Sequence, residues 1–202
     1  MVNKISRNLL MIVFLVCAMR AMPARADPLD LIDEAFIQSL KDKFSSPLVR
    51  QMVTWQNRYT AHLNASDITK LDRQWMEERE GKDKSLIVAT LSNPLSIYLL
   101  QIQAASSGLY SEIFIMDSKG LNVGQSTVTS DYWQGDEAKY LETFPAAKSG
   151  LFIDDPVIDL VDGTSRVQVS FPLHDEHGGE KVGVATIEIN LDTLARRQPP
   201  AF

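Results

Sequence analysis

The side-chain period changes once along this chain, and that single change limits the folds open to it. From Leu29 to Met76 apolar residues recur every three to four positions. Leu29, Ile32, Phe36, Ile37, Leu40 and Phe44 are followed by Val49, Met52, Val53 and Trp55, and then by Ile68, Leu71, Trp75 and Met76. Such spacing draws one apolar stripe along a helix. Beyond Ser106-Ser107-Gly108 the period falls to two. Val167, Val169 and Phe171 alternate with Arg166, Gln168 and Ser170; Gly183, Ala185, Ile187 and Ile189 alternate with Val182, Val184, Thr186, Glu188 and Asn190. Side chains of a strand point to opposite faces in turn, so these segments are strands with one apolar and one polar side. Helices first and strands afterwards predict a segregated α+β domain.

Local signals place the elements. Pro28 opens a helix with Asp30, Asp33 and Glu34 in its first turn, where the helix dipole favours acids. Pro47 starts a second segment over 48–63, Ser66 caps a third, and Gly81 ends the array. Residues 84–103 keep a helical pattern, but Pro94 removes a backbone donor and bends or splits it at Asn93. Residues 113–116 and 121–125 flank the turn Asp117-Ser118-Lys119-Gly120 and form a hairpin. A short helix is expected over 134–144, ended by Pro145, followed by short strands at 151–153 and 157–161, and then the two alternating strands joined by a polar turn at 174–179. The expectation is an antiparallel five-stranded sheet with the long N-terminal helices on one face. It divides into a helical segment at 27–83, a sheet-bearing core at 84–195 and a tail at 196–202.

The first 26 residues are expected to leave before folding. Lys4 and Arg7 precede a ten-residue apolar run from Leu9 to Ala18, and Ala24-Arg25-Ala26 sets small residues where a signal peptidase reads. A membrane-spanning helix needs about 20 apolar residues, so the run is too short for one. Val16 stands before Cys17 where a lipidation signal wants a small residue. Cleavage after Ala26 removes four basic residues (Lys4, Arg7, Arg20 and Arg25), no acid and the one cysteine. This leaves 16 basic against 26 acidic residues in the 176 from Asp27 to Phe202, a net charge of −10. That charge argues against nucleic acid and anionic membranes as partners. An exported chain without disulfides must rely on its core, and a bacterial periplasm is the expected compartment.

Chemistry concentrates in Ser126-Thr127-Val128-Thr129-Ser130-Asp131-Tyr132-Trp133-Gln134-Gly135-Asp136-Glu137-Ala138-Lys139. Hydroxyls, two aromatics, carboxylates and an ammonium within fourteen residues fit the wall of a small-molecule pocket. They fit equally a loop that closes the core with Tyr132 and Trp133. Catalysis is not expected. Ser118, Ser126 and Ser170 lack a Gly-x-Ser-x-Gly elbow, and His62, His174 and His177 are the only histidines. The His174-Asp175-Glu176-His177 turn and the Asp154-Asp155 pair with Asp159 and Asp162 are weak metal signals, better read as solvated turns and strand ends. No metal or cofactor is expected. For binding, Tyr132 and Trp133 offer a wall, Asp131 and Asp136 acceptors for an ammonium, and Lys139, Ser126, Thr129 and Arg166 donors for a carboxylate. Arg166, Gln168 and Ser170 share one strand face and can converge with them.

The order of elements, the Asp-Ser-Lys-Gly hairpin, the Ser126…Asp131-Tyr132-Trp133-Gln134-Gly135-Asp136-Glu137 segment and the closing Val182-Gly183-Val184-Ala185-Thr186 strand resemble the single-Cache family, PAS-like sensor domains of the PhoQ/DcuS/CitA type, and most of all its stand-alone periplasmic members. The resemblance spans about residues 30–195. It implies a pocket for a small polar ligand, a carboxylate, amino acid or amine, lined by the second hairpin strand and the loop and helix after it. Family receptors continue into a membrane helix; here Gln198-Pro199-Pro200-Ala201-Phe202 carries two prolines and no apolar run. Signalling is therefore expected through a separate membrane receptor or kinase, with a homodimer through the N-terminal helix as a further implied contact. The other class considered is a structural or interaction protein of the cell envelope that has lost its ligand. N-terminal sequencing of the exported protein is expected to begin at Asp27; Met1 retained in a membrane fraction would refute the leader.

Overall fold

The computed structural model describes residues 28–145 and 150–197. The leader expected over 1–26 and the end of the tail from residue 198 lie outside the described residues. The first apolar stripe does not form one helix. A 3-10 turn at Pro28–Leu31 is followed by α1, Glu34–Phe44, because the Asp33 carboxylate accepts the Phe36 amide at 2.8 Å and restarts the helix. Ser46 caps α2, Pro47–Thr60, through Val49 N at 3.3 Å. The cap of α3, Ala65–Glu80, is Asn64 rather than the expected Ser66. Asn64 Oδ1 accepts from Ser66 N and Asp67 N, while Asp67 Oδ2 accepts from Asn64 N, a reciprocal box that draws Ser66 into the first turn.

Asn93-Pro94 splits the next segment into α4, Ser85–Leu91, and α5, Pro94–Ala105, at an angle of 66°. Asn93 does two things there. Its Oδ1 accepts from Ser96 N at 2.9 Å to cap α5, and its Nδ2 donates to Val123 O at 2.7 Å, tying the bend to the sheet. The strands are β1, Tyr110–Asp117; β2, Asn122–Gln125; β3, Phe152–Ile153; β4, Val157–Ile158; β5, Ser165–His174; and β6, Lys181–Asn190. Between β2 and β3 lies α6, Ala138–Leu141, and α7, Leu191–Arg197, follows β6.

All pairings are antiparallel in the order β2-β1-β6-β5-β3, with β4 also on β5. The sheet has six strands, yet it is five wide as expected. Since β6 occupies one edge of β5, β3 and β4 share the other: Phe152 and Ile153 face Ser170 and Val169, and Val157 and Ile158 face Arg166 and Ser165. Pro156, which has no N–H to give a ladder, lies between the two pieces.

Helices α1, α2, α5 and α7 cover one face. Leu40, Phe44, Val49, Val53, Leu95, Leu99 and Leu194 pack there with Ile113, Ile115, Val167, Val169, Phe171, Ile187 and Ile189. Full burial of such a side chain contributes about 1.5–3 kcal/mol, so this layer holds the sheet in register. The remaining two long-segment helices do not join it. α3 and α4 wrap the β2 edge and form a smaller core of Trp75, Ile87, Leu121 and Tyr132.

That smaller core depends on a carboxylate. Glu78 of α3 is buried, and its two oxygens accept from Leu86 N, Ile87 N, Ser85 Oγ and Gln74 Nε2 at 2.7–3.0 Å, so it caps α4 from another helix. Burial acts to raise its pKa, but the donors, Ile87 N foremost, outweigh it and hold the carboxyl below its ordinary value. A depressed acid adds stability above its unfolded pKa and loses it as pH falls through the folded one. Glu78→Gln sets an amide NH2 against a backbone N–H and is expected to lower stability at pH 7 by about 1.5–3 kcal/mol. The deficit should begin to close in urea titrations only below the ordinary glutamate range, and vanish once pH has passed the lowered folded pKa and the wild-type carboxyl is protonated too.

Candidate functional site

The face of the sheet away from α1 and α2 carries three rows of paired side chains. Met116, Val184 and Pro172 form an apolar row, and Tyr140 of α6 and Phe144 pack against Phe114, Met116 and Val184. Phe114, Thr186 and Ser170 form the next row, with the two hydroxyls bonded to each other at 2.9 Å. Glu112, Glu188 and Gln168 form the third and are polar throughout. Over this last row the chain from Glu137 to Lys139 and the Asp154-Asp155 bend enclose a cavity of about 240 Å³, with Gln168 and Glu188 lining it from the sheet.

The cavity is strongly acidic. Among the described residues, four carboxylates (Glu137, Asp154, Asp155 and Glu188) line it against one ammonium, that of Lys139. Lys139 is already engaged: Nζ lies 2.7 Å from Glu137 Oε2 and 3.2 Å from Gln134 Oε1, and 5.6 Å from the centre of the Phe114 ring. Glu112, at the end of the polar row, accepts from Thr127 Oγ1 at 2.9 Å. Burial, reinforced by the facing charge of Glu188, pushes its pKa up despite that bond and the cations nearby. A cavity of this charge attracts a cation and repels a free carboxylate.

The residues singled out from the sequence divide into groups. Lys139 and Gln168 line the cavity, and Ser170 is fully buried beside Thr186 in the adjoining row. Arg166 is committed at the rim, 3.0 Å from Asp159, 2.7 Å from Asp162 and 3.2 Å from Glu188. Ser126 and Thr129 are buried in the backbone scaffold: Ser126 Oγ accepts from Ile113 N, and Thr129 Oγ1 donates to Asp131 O and accepts from Asn122 Nδ2. Asp131 takes part through its carbonyl, which also accepts from Gln134 Nε2. Tyr132 stacks on Trp75 with centroids 5.4 Å apart, and Trp133 Nε1 donates to Lys119 O at 2.8 Å; both belong to the smaller core. Asp136 is exposed in a turn two residues before α6, so it does not open that helix.

Two features missed in the sequence position this loop. The Asp72 carboxylate of α3 accepts from both Tyr132 N and Trp133 N, at 3.0 and 2.9 Å. Gly120, at φ +80°, and Gly135 meet so closely that a Cβ on Gly120 would stand 2.5 Å from Gly135 Cα. Leu121 bridges Trp133 at that point, and Gln134 N donates to Gly120 O. The expected helix from 134 is therefore confined to Ala138–Leu141, because the preceding amides are spent on the hairpin. Glu112 and Glu188 also went unassigned; their signal was strand parity, since each is an acid on the face opposite the apolar one.

No family matches the chain, and no curated protein matches it. Among solved structures it is similar to the ligand-binding domain of the amino-acid chemoreceptor PctC of Pseudomonas aeruginosa PAO1 in complex with GABA, at 16% identity and a TM-score of 0.36, over 80% of this chain and 62% of that one. It is also similar to the sensory domain of the Campylobacter jejuni chemoreceptor Tlp3 with isoleucine bound, at 15% identity and a TM-score of 0.36, over 89% of this chain and 69% of that one. Likeness this remote transfers no ligand and no role to the chain.

Arg166 faces three carboxylates with its side chain only 19% exposed, so its first duty is structural. Arg166→Gln is expected to lower the melting temperature by roughly 2–4 °C, which corresponds to about 1 kcal/mol in a domain of this size. Calorimetric scans in rising salt check the cause: screening should narrow the gap from wild type, whereas a packing defect would leave it unchanged.

Proposed function

We propose that this chain is an exported ligand-binding sensor domain that takes up a small polar metabolite bearing an ammonium group and reports its occupancy to a separate partner. One observation carries the reading: among the described residues, four carboxylates surround a single, already paired lysine in a cavity on the polar face of the sheet. The single-Cache resemblance implies a pocket lined by the second hairpin strand and the loop and helix after it; the acidic cavity shares only the helix side of that location, through Glu137, Ala138 and Lys139. The ligand class narrows from the carboxylate, amino acid or amine expected at first to an amine. Arg166, the cation best suited to a ligand carboxylate, is already shared by Asp159, Asp162 and Glu188. The ammonium would sit between Glu188 and the Asp154-Asp155 bend, with the Gln168 amide free to read a neighbouring hydroxyl or carbonyl.

A second reading, an envelope interaction protein without a ligand, is favoured by Ile97 and Leu100, which are 48% and 52% exposed and lie three residues apart on one side of α5. Thermal-shift screening of the mature protein against diamines, amino acids and dicarboxylates separates the two, since a ligand of the native state alone raises its melting point. A diamine or amino acid ester should give the largest shift. Asp155→Asn, at an exposed position, should weaken its binding about tenfold, which corresponds to roughly 1.4 kcal/mol, without changing the melting point of the free protein. Equal affinity in that variant, or a response to dicarboxylates alone, would overturn the amine site; no response to any class would favour the interaction protein.

A further inference from the structure

A second cavity, of about 380 Å³, opens between α2, α3, α4 and β2, and shares no lining residue with the acidic one. Its walls are mainly apolar: Met52, Leu63, Leu71, Leu86, Val123 and Tyr132 contribute to them. At 300–1,000 Å³, apolar walls with a few placed polar groups are the ordinary make-up of a small-molecule site. Two of its polar lining residues, Gln56 and Asn122, are at least nine-tenths buried.

Gln56 has only one tenable orientation. Its Nε2 donates to Asn122 O at 3.2 Å and to Asp117 Oδ2 at 3.4 Å; turning the amide over would set Oε1 against two acceptors. Oε1 is therefore left to the other side, where it accepts no hydrogen bond among the described residues. Asn122 repeats the pattern. Its Nδ2 donates to Gln125 Oε1, Thr129 Oγ1 and Asp131 O, and its Oδ1 is buried with no partner among the described residues. Of these two acceptors only Asn122 Oδ1 is fully buried; Gln56 Oε1 is unpaired on a residue that lines the cavity, so a donor from outside the chain has an acceptor to meet there. The Asp117 carboxylate behind Gln56 is fully buried and, among the described residues, bonded by neutral donors alone: Thr60, Gln56 and the amides of Lys119 and Leu121. The Lys119 ammonium turns away to Ala61 O and Leu63 O. This side of the cavity thus favours a donor and disfavours an anion.

The mouth is aromatic. Trp55 and Tyr59, one turn apart on α2, both line the cavity and stack with centroids 5.6 Å apart and planes 4° from parallel. They nevertheless remain 60% and 65% exposed. Two large rings held parallel at the rim form a ready flat surface of the kind that binding sites use.

We propose that this cavity is a second binding site, for a flat apolar ring carrying an N–H or O–H donor, an indole- or phenol-like molecule, with the ring against Trp55 and Tyr59 and its donor on Gln56 Oε1. The proposal does not depend on the amine site, since neither cavity contributes a residue to the other.

The test is amide-resolved NMR titration of the full mature protein with indole, and with 1-methylindole, which keeps the ring and lacks the donor. Indole should shift the amides of residues 55–60 and 86–93 in a saturable way, and 1-methylindole should bind at least tenfold more weakly. Ala89, which lines the cavity from an exposed position on α4, gives the blocking variant. Ala89→Phe should abolish the shifts while leaving the melting temperature unchanged, and Asp155→Asn should leave indole binding as it is. Absence of saturable shifts up to the solubility of indole, equal affinity for the two compounds, or undiminished binding in Ala89→Phe would each overturn the site.

Discussion

Everything placed on either side of this domain follows from the pairing of β1, β6 and β5, which keeps one register from Glu112 to Asp117 and from Arg166 to Leu173. β5 and β6 are ten residues each and run antiparallel from Arg166 opposite Asn190 to His174 opposite Lys181. With a period of two, that register decides at once which side chains meet the helices and which do not. Ile113, Ile187 and Val169 stand in one row beneath α1, α2 and α5; Glu112, Glu188 and Gln168 stand in the next row on the other side. A slip by one residue would exchange the rows, burying two acids against leucines and exposing the core. The apolar row is thus what keeps the acidic row in place.

The hairpin supplies the other fixed point. Asp117 closes the turn by accepting from Lys119 N and Leu121 N with one oxygen, and holds α2 by accepting from Thr60 Oγ1 and Gln56 Nε2 with the other. Gly120 lets the turn come against Gly135, and Tyr140 Oη reaches back to Ser118 O at 2.7 Å. One turn therefore locates α2 on one side of the sheet and α6 on the other. It also connects the two cavities: Gln56, oriented by Asp117, belongs to one, while Glu137 and the start of α6, the helix tied to the turn through Tyr140, line the other.

Period and punctuation carried most of the architecture in legible form. The alternation in β5 and β6, the break at Asn93-Pro94 and the Asp-Ser-Lys-Gly turn are local patterns whose physics acts within a few residues. Errors arose where two local options compete. Asn64 displaced Ser66 as a cap because only Asn64 can enter a reciprocal box with Asp67, and the helix expected from Gln134 shrank because Gly120 O and Leu121 compete for the same stretch of chain. The candidate site was less legible, for a different reason. Tyr132, Trp133, Thr129 and Ser126 are crowded in sequence, but closeness along a loop says nothing of where each side chain turns. Lys139 and Gln168 share a cavity, and Glu188 joins them only because β6 lies between β1 and β5, a fact of topology that no short motif encodes.

Burial and hydrogen bonding act on the charges of this fold in opposite senses. Glu78 is held below the ordinary carboxyl range by four donors, so its stabilisation is lost toward acid. Asp117 and Glu112 are pushed up, in both cases by burial first; an acid raised in this way stabilises the fold when protonated, and loses that contribution as pH rises through its folded pKa. Asp117 is enclosed by neutral donors, and no ligand cation is proposed to reach it. Glu112 differs, because Glu188 faces it across the β1–β6 ladder and contributes to its rise. A cation between Glu188 and the Asp154-Asp155 bend would offset that repulsion and lower the pKa of Glu112. On the proposed reading, amine binding therefore releases protons and strengthens as pH rises through the range in which Glu112 titrates, while Lys139, kept 2.7 Å from Glu137, stays out of the way. The acidic row becomes the source of selectivity: the register holds Glu112 and Glu188 together, Arg166 relieves Glu188 from one end only, and a ligand cation would add to that relief.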